Sequence, residues 1–251
     1  MPIALVTGAS RGLGRALAAA LADRGWSLVL TARTTADLDR TVSEIGSGAS
    51  GARAGAVVGV AGDVSDAVHR RDVVDAVRTT SDGAGLDLLV ANASTLGPLP
   101  MRGLREVTGD DLAAVLAVNV LAPHELVRAL LPDLEQATGA VLTLSSDAAV
   151  GHYGTWGAYG ASKAALDHLT LTLGEEVPGV RAWALDPGDM RTGMHQDAFP
   201  GEDISDRPLP EQVAVPAVLA LLDTRPPSGR LVAADVVAAA GTPDAGRVVA
   251  R

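Results

Sequence analysis

Between residues 3 and 233 of this 251-residue chain, short apolar runs rich in strand-forming residues alternate with stretches of helical periodicity. Strands are predicted at Ile3–Thr7, Ser27–Ala32, Val57–Ala61, Leu86–Ala91, Ala140–Ser145, Val180–Asp186 and Arg230–Ala233. Helical periodicity runs over Leu13–Arg24, Ala36–Ile45, Ala67–Thr79, Asp110–Leu134, Trp156–Leu173 and Glu211–Leu222. Strands that are apolar at nearly every position, rather than at every second one, are buried on both faces. Repeated β-α-β units of this kind predict an α/β fold: a doubly wound parallel sheet of about seven strands flanked by helices, in one domain covering residues 1–251.

Local punctuation supports these boundaries. Thr108 with Asp111 forms an N-terminal cap signal before Leu112, and Gly25 stands where a helix-ending glycine belongs. Pro123 falls inside the long fourth helix, which predicts a kink just after Asn119. The glycine- and alanine-rich stretch Gly46–Gly55 reads as a flexible surface loop, and no segment repeats at a solenoid period.

Composition narrows the function classes. A formal charge of -10 repels phosphate backbones, and no basic run offsets it, so nucleic acid is not an expected partner. Cysteine is absent, and the five histidines show no ligand spacing, so neither thiol chemistry nor a metal site is expected. The first strand begins almost at the initiator, and charged or glycine residues interrupt each apolar stretch before it reaches the ~20 residues needed to span a bilayer. The expectation is a cytoplasmic protein without a membrane partner.

The first strand runs into Thr7-Gly8-Ala9-Ser10-Arg11-Gly12-Leu13-Gly14, and the first helix starts inside that turn. Glycines there allow a tight turn and close approach of backbone to phosphate, while the helix N-terminus aims free N–H groups at a pyrophosphate. In a dinucleotide fold the end of the second strand carries an acid when the ribose 2′-hydroxyl is free. Here it carries Ala32-Arg33, and Arg11 lies in the loop, so two guanidiniums are available for a 2′-phosphate. The expected cofactor is NADP(H) in preference to NAD(H).

Nineteen of the twenty basic residues are arginine; the single lysine, Lys163, stands four places after Tyr159. On a helix that spacing puts both side chains on one face. An ammonium within a few ångströms lowers a phenol below its ordinary pKa of about 10, and so tunes it for proton exchange with a carbonyl or alcohol oxygen.

Taken together, TGASRGLG at the first turn, Asp63-Val64 after the third strand, Asn92-Ala93 after the fourth, Asn119, Ser146 thirteen residues before Tyr159, the YGASK run and Pro187-Gly188 resemble the short-chain dehydrogenase/reductase family. The likeness covers residues 3 to 194. It implies a Rossmann-type fold in which Tyr159 is the acid/base and Lys163 both lowers the phenol pKa and holds the nicotinamide ribose. It further implies that Ser146 bonds the substrate oxygen and that Asn119 anchors a water in a proton relay. By the same likeness Gly8, Ser10, Arg11, Gly12, Leu13, Gly14, Arg33, Asp63, Val64, Asn92, Ala93, Tyr159, Lys163, Pro187, Gly188 and Thr192 contact the cofactor, Asp63 at the adenine and Thr192 at the carboxamide. Asp63 also reads as an N-terminal cap for the next helix, a role Ser65 could equally fill.

The chain departs from the family pattern at Ser94, which replaces a glycine, at Asp189, and in lacking a Val-Asp-Gly-Gly ending. The resemblance implies a homo-oligomer, dimer or tetramer, with that ending bearing on the tetramer interface. His152, Tyr153, Trp156, Met190, Met194, His195 and Phe199 are candidate pocket residues, beneath a lid around residues 189–210. The lid stretch 196–210 holds Asp197, Glu202, Asp203 and Asp206 against the single Arg207, a balance that repels polyanionic carriers and points to a small neutral carbonyl or alcohol substrate. The alternative is a dinucleotide-sensing regulator on the same fold without turnover.

Overall fold

Seven strands pair in one parallel sheet: β1 (Ile3–Thr7), β2 (Ser27–Ala32), β3 (Val57–Ala61), β4 (Leu88–Ala91), β5 (Ala140–Leu144), β6 (Arg181–Asp186) and β7 (Gly229–Val232). The computed structural model describes residues 1–47 and 55–241; residues 48–54 of the predicted Gly46–Gly55 loop, and the chain's ending from residue 242, lie outside the described residues. The strand order is β3-β2-β1-β4-β5-β6-β7. Every residue of β1, β2, β4 and β5 is buried, whereas the edge strands β3 and β7 are partly open. Burial on both faces is why the central strands are apolar at almost every position.

The helices are α1 (Gly12–Asp23), α2 (Thr35–Ser47), α3 (Ala67–Ser81), α4 (Gly109–Leu116), α5 (Ala122–Gln136), α6 (Gly157–Glu176), α7 (Gly193–Ala198), α8 (Ala214–Thr224) and α9 (Ala233–Ala240). On one face Leu17 and Leu21 of α1 and Val218 and Leu221 of α8 share a core with Leu28, Leu142 and Trp183. On the other, Val73 and Val77 of α3 and Leu126, Leu130 and Leu134 of α5 pack with Leu5, Val29 and Leu89. The chain winds outward from β1 to β3 and then returns to β4, so the sheet changes direction between β1 and β4. A ligand crevice opens at the carboxyl ends of strands at such a point.

Thr108 and Asp111 form a reciprocal cap, each backbone N–H bonding the other's side chain at 3.0–3.1 Å. Gly25 takes φ +78° and donates its N–H to Ala22, ending α1 as expected. The expected kink at Pro123 takes a more specific form: a five-residue π-turn, Ala117–Leu121, separates α4 from α5. Proline has no N–H to return to the preceding turn, and a widened turn accommodates that loss. The continuous stretch Gly109–Gln136 is the one helix among the described residues long and apolar enough to cross a membrane, with 33% of its most apolar window buried. Two helices carry no legible signal in the sequence. α7 and α9 have six and eight residues, too few for a periodic pattern to stand out.

Candidate active site

At the direction change, the loop after β1 forms a cradle. Gly8 and Gly12 adopt φ of +66° and +54°, in the left-handed region that favours glycine. A Cβ on Gly14 would collide with the Gly8 carbonyl and the Asn92 amide. That amide holds the loop in place, donating to the carbonyls of Thr7 at 2.8 Å and Gly8 at 3.1 Å. Thr7 Oγ1 in turn accepts from the backbone of both Asn92 and Ala93 at 3.0 Å. The first turn of α1 has no capping side chain and no acid, so its N–H groups are available to an anion. These features fit a pyrophosphate. Gly14→Ala is expected to weaken dinucleotide binding at least about tenfold, while overpacking costs about 1–3 kcal/mol of stability; fluorescence titration and urea unfolding measure the two effects.

The Ser10 carbonyl accepts from Thr41 at 3.4 Å, Leu13 is buried beneath the cradle, and Val64 and Ala93 line one small crevice with Thr7. Asp63 does not cap α3, and neither does Ser65: the cap is Asp66, whose side chain accepts from Val68. Asp63 instead accepts from the backbone and hydroxyl of Ser65 at 2.8 and 2.7 Å. Partial burial opposes its ionisation, but the Ser65 bonds and the charges of Arg33 and His69 prevail and hold it below the usual carboxylate value. Arg33 thus bears on Asp63, whereas Arg11 crosses the crevice and brings Nη1 within 3.9 Å of a Cβ position on Gly193. Thr192 faces Gly12, its methyl 3.6 Å from a Cβ position there, and its hydroxyl accepts from His195 at the start of α7. After β6, Gly188 takes φ +71° beyond Pro187 and donates its N–H to Asp186 at 3.1 Å.

Tyr159 and Lys163 lie on consecutive turns of α6, both buried, with the amine nitrogen 5.5 Å from the phenol ring centre. Ser146, in the turn after β5, stands near enough to the phenol to act on its proton affinity. Its hydroxyl also lies 2.9 Å from an Asp147 oxygen and accepts from the Ala148 N–H. Ser145 points elsewhere, donating to Asp167 at 2.6 Å. Asn119, in the π-turn, is fully committed: its amide donates to Thr95 and Ser162 at 2.9 Å, and its oxygen accepts from Thr95 at 2.8 Å and Ser94 at 3.2 Å. The serine that replaces a family glycine therefore anchors Asn119.

One expectation is overturned. The phenol is not acidified: its pKa stands above the ordinary tyrosine value. Burial is the main cause, and the carboxylates of Asp147, Asp186 and Asp167 add to it, outweighing the opposing effect of Ser146. Lys163 is itself desolvated, donates to the Leu144 carbonyl at 2.7 Å, and has its own pKa pushed down to about 8. Sequence reasoning does not single out these carboxylates. The available signal is the presence of charges at Asp167 and Asp186, inside segments predicted to be buried.

Beside the phenol, Trp156 stands edge-on at 5.6 Å from Tyr159 and 5.7 Å from Phe199, which lies 4.8 Å from His195. Met194 joins this small cluster, and Met190 is partly buried against the main core behind the sheet. His152 and Tyr153 are exposed, and the Tyr153 hydroxyl donates to Asp147 at 2.9 Å. An open cleft is lined by Leu99, Pro100, Gln196 and the acids Asp197, Glu202 and Asp203.

A dinucleotide cradle at the sheet's direction change, with a tyrosine, a lysine and a serine gathered beside it, defines a nicotinamide-linked oxidoreductase scaffold. The family model for short chain dehydrogenases matches residues 2–203, and the chain belongs to the short-chain dehydrogenase/reductase family. It is 35% identical to sepiapterin reductase from Meriones unguiculatus over 202 residues, 77% of this chain and 76% of that protein. Among solved structures it is similar to a short chain dehydrogenase from Pseudomonas syringae, with TM-score 0.83 and 35% identity over 92% of this chain and 93% of that one. It is also similar to an alcohol dehydrogenase from Thermococcus sibiricus complexed with 5-hydroxy-NADP, with TM-score 0.80 and 29% identity over 92% and 95%.

Proposed function

We propose that the chain is an NADP(H)-dependent reductase or dehydrogenase acting on a small neutral carbonyl or alcohol, with Tyr159 as the proton donor and acceptor. The observation that carries this reading is the pairing of buried Tyr159 and Lys163 on one face of α6, with the Lys163 amine 5.5 Å from the phenol ring centre, in a fold whose first loop is a glycine cradle suited to a pyrophosphate. A bound nicotinamide dinucleotide supplies or accepts the hydride. Held above its ordinary pKa, Tyr159 keeps its proton at neutral pH and is poised to give it to a carbonyl oxygen. Ser146 orients that oxygen, and the Lys163 ammonium compensates the phenolate as it forms. Because Pro123 cannot donate to the turn before it, the Asn119 backbone carbonyl, rather than its committed side chain, is the group suited to hold a relay water.

The pH dependence follows from the amine. Carbonyl reduction is expected to be level from pH 6 to about 8 and to fall above it, as Lys163 loses its proton near that value and the forming phenolate loses its counter-charge. Stopped-flow rates across that range check this. Arg33, exposed at the end of β2, supports the preference for NADP(H). Arg33→Ala is expected to weaken NADPH about 10- to 100-fold through a lost phosphate contact while leaving NADH unchanged, as read by cofactor fluorescence.

The same reading takes the chain as one cytoplasmic domain with a lid over residues 189–210, assembled as a homo-oligomer, and with neither nucleic acid nor membrane as partner. The acids of the cleft disfavour acyl-carrier and coenzyme A thioesters. The test is NADPH oxidation across a panel of small ketones and aldehydes, alongside cofactor binding. Binding without turnover on any of them would replace this reading with that of a dinucleotide-sensing regulator.

A further inference from the structure

Behind Ser146 and Lys163 lies a buried cluster of charges that the proposed reaction does not use. Register pairs Arg230 of β7 with Ala184 of β6, and Val232 with Asp186. Alternation sends Leu231 and Leu185 into the core behind the sheet and leaves Arg230 and Asp186 on the face covered by α6. There the Arg230 guanidinium donates to Asp167 of α6 at 3.1 Å, to Asp186 at 3.1 Å and to the Ser146 carbonyl at 3.0 Å. The side chains of Arg230, Asp167 and Asp186 are only 17%, 8% and 10% exposed.

Each contact reaches a different part of the active site. Asp186 carries the restraint to Gly188 through its other oxygen, and Asp167 carries it to Ser145 and stands one turn beyond Lys163 on α6. Stability alone is a weak reason to keep such a cluster, because a buried ion network often gains little over well-packed apolar residues. Asp167 is also incompletely satisfied, since its second oxygen has no hydrogen-bond partner among the described residues. Burial holds this carboxyl above the usual range despite the bonds from Ser145 and Arg230.

Building on the reading of Tyr159 and Lys163 as the reaction centre, we infer that Arg230 is a positioning residue. It locks the Ser146 segment, α6 and the Pro187–Gly188 turn in register, and it cancels the charge of two carboxylates that would otherwise bear on the phenol and the amine. The charged and titratable groups around that centre are Asp147 from the turn after β5, Lys163 and Asp167 from α6, Asp186 from β6 and Arg230 from β7.

The chain's single lysine makes the inference directly measurable. Protein labelled with ¹⁵N-lysine carries one side-chain amine signal, whose titration reports the local field without any turnover. Arg230→Gln is expected to raise the Lys163 midpoint by about one unit, a tenfold gain in proton affinity, and Asp167→Asn to lower it. The double variant should return close to wild type. Arg230→Lys, which keeps the charge without the fork, adds a second amine and is therefore read by kinetics: it should keep the wild-type pH–rate profile and still lose kcat about tenfold, because the register of Ser146 is not restored.

If Arg230→Gln does not fold, Arg230→Lys and Asp167→Asn carry the test in its place. Folded variants whose amine midpoint and pH–rate profile both match wild type would overturn the inference and leave Arg230 a structural residue. If wild-type protein turns over no carbonyl while the amine shifts as stated, the charge coupling stands and the proposed function fails. With wild-type turnover and unshifted amines the proposed function stands and the charge coupling fails.

Discussion

Tyr159→Phe is expected to lower kcat for carbonyl reduction by about 10²- to 10⁴-fold, the range supplied by a positioned general acid, and to leave dinucleotide affinity within about twofold of wild type. The separation of these effects follows from what the hydroxyl touches. The ring packs edge-on against Trp156 and sits with Leu96 and Ala148, contacts that phenylalanine keeps. Removing the oxygen leaves the bonds of Ser146 to Asp147 and the Ala148 N–H in place. Unfolding free energy should therefore change by less than about 1 kcal/mol. Single-turnover rates with saturating NADPH, beside fluorescence titration, measure both quantities. Turnover within tenfold of wild type would remove Tyr159 from the chemistry.

Lys163→Met should abolish activity and stabilise the fold at the same time. A buried lysine whose pKa falls from 10.5 to about 8 is protonated at neutral pH against its surroundings. The shift corresponds to about 3 kcal/mol of unfavourable free energy. Its sign fixes the pH window. Between about pH 8 and 10.5 the unfolded chain holds the lysine proton and the folded chain does not, so wild-type stability rises with pH there. Methionine removes the penalty but strands the Leu144 carbonyl, which leaves a net gain at pH 7 of about 1–2 kcal/mol. Urea unfolding at pH 7 and pH 10 should show that gain shrinking as the wild-type amine sheds its proton within the fold. Activity should fall by at least about 10²-fold, since the forming phenolate loses its counter-charge. A variant both less stable than wild type and active would contradict the account on both counts.

The sequence and the structure agree where information is local. Strand positions, the glycine cradle and the Thr108–Asp111 cap are written in contiguous residues, through apolar runs, φ-permissive glycines and a side chain three places from its backbone partner. Ser146 and Ser145 are distinguishable by spacing, and the structure sends their hydroxyls to different partners. Met190, a candidate pocket residue in the sequence, packs partly buried against the main core, a contact that a turn after a strand does not reveal in advance. The π-turn is legible only as a kink, since Pro123 announces a broken ladder without saying how the chain absorbs it.

Five residues of α6 suffice to bring Tyr159 and Lys163 onto one helical face, because helical spacing is a property of neighbouring residues. The proton affinities of that pair cannot be read in the same way. They depend on how deeply α6 is buried and on Asp147, Asp186 and Asp167, which reach the centre from the turn after β5, from β6 and from the next turn of α6. Register and strand alternation bring Arg230 of β7 onto Asp167, Asp186 and the Ser146 carbonyl, the last of these more than eighty residues away in the chain. Low dielectric then makes each of them count, so a phenol expected to be acidic from its nearest neighbour is held protonated by its surroundings.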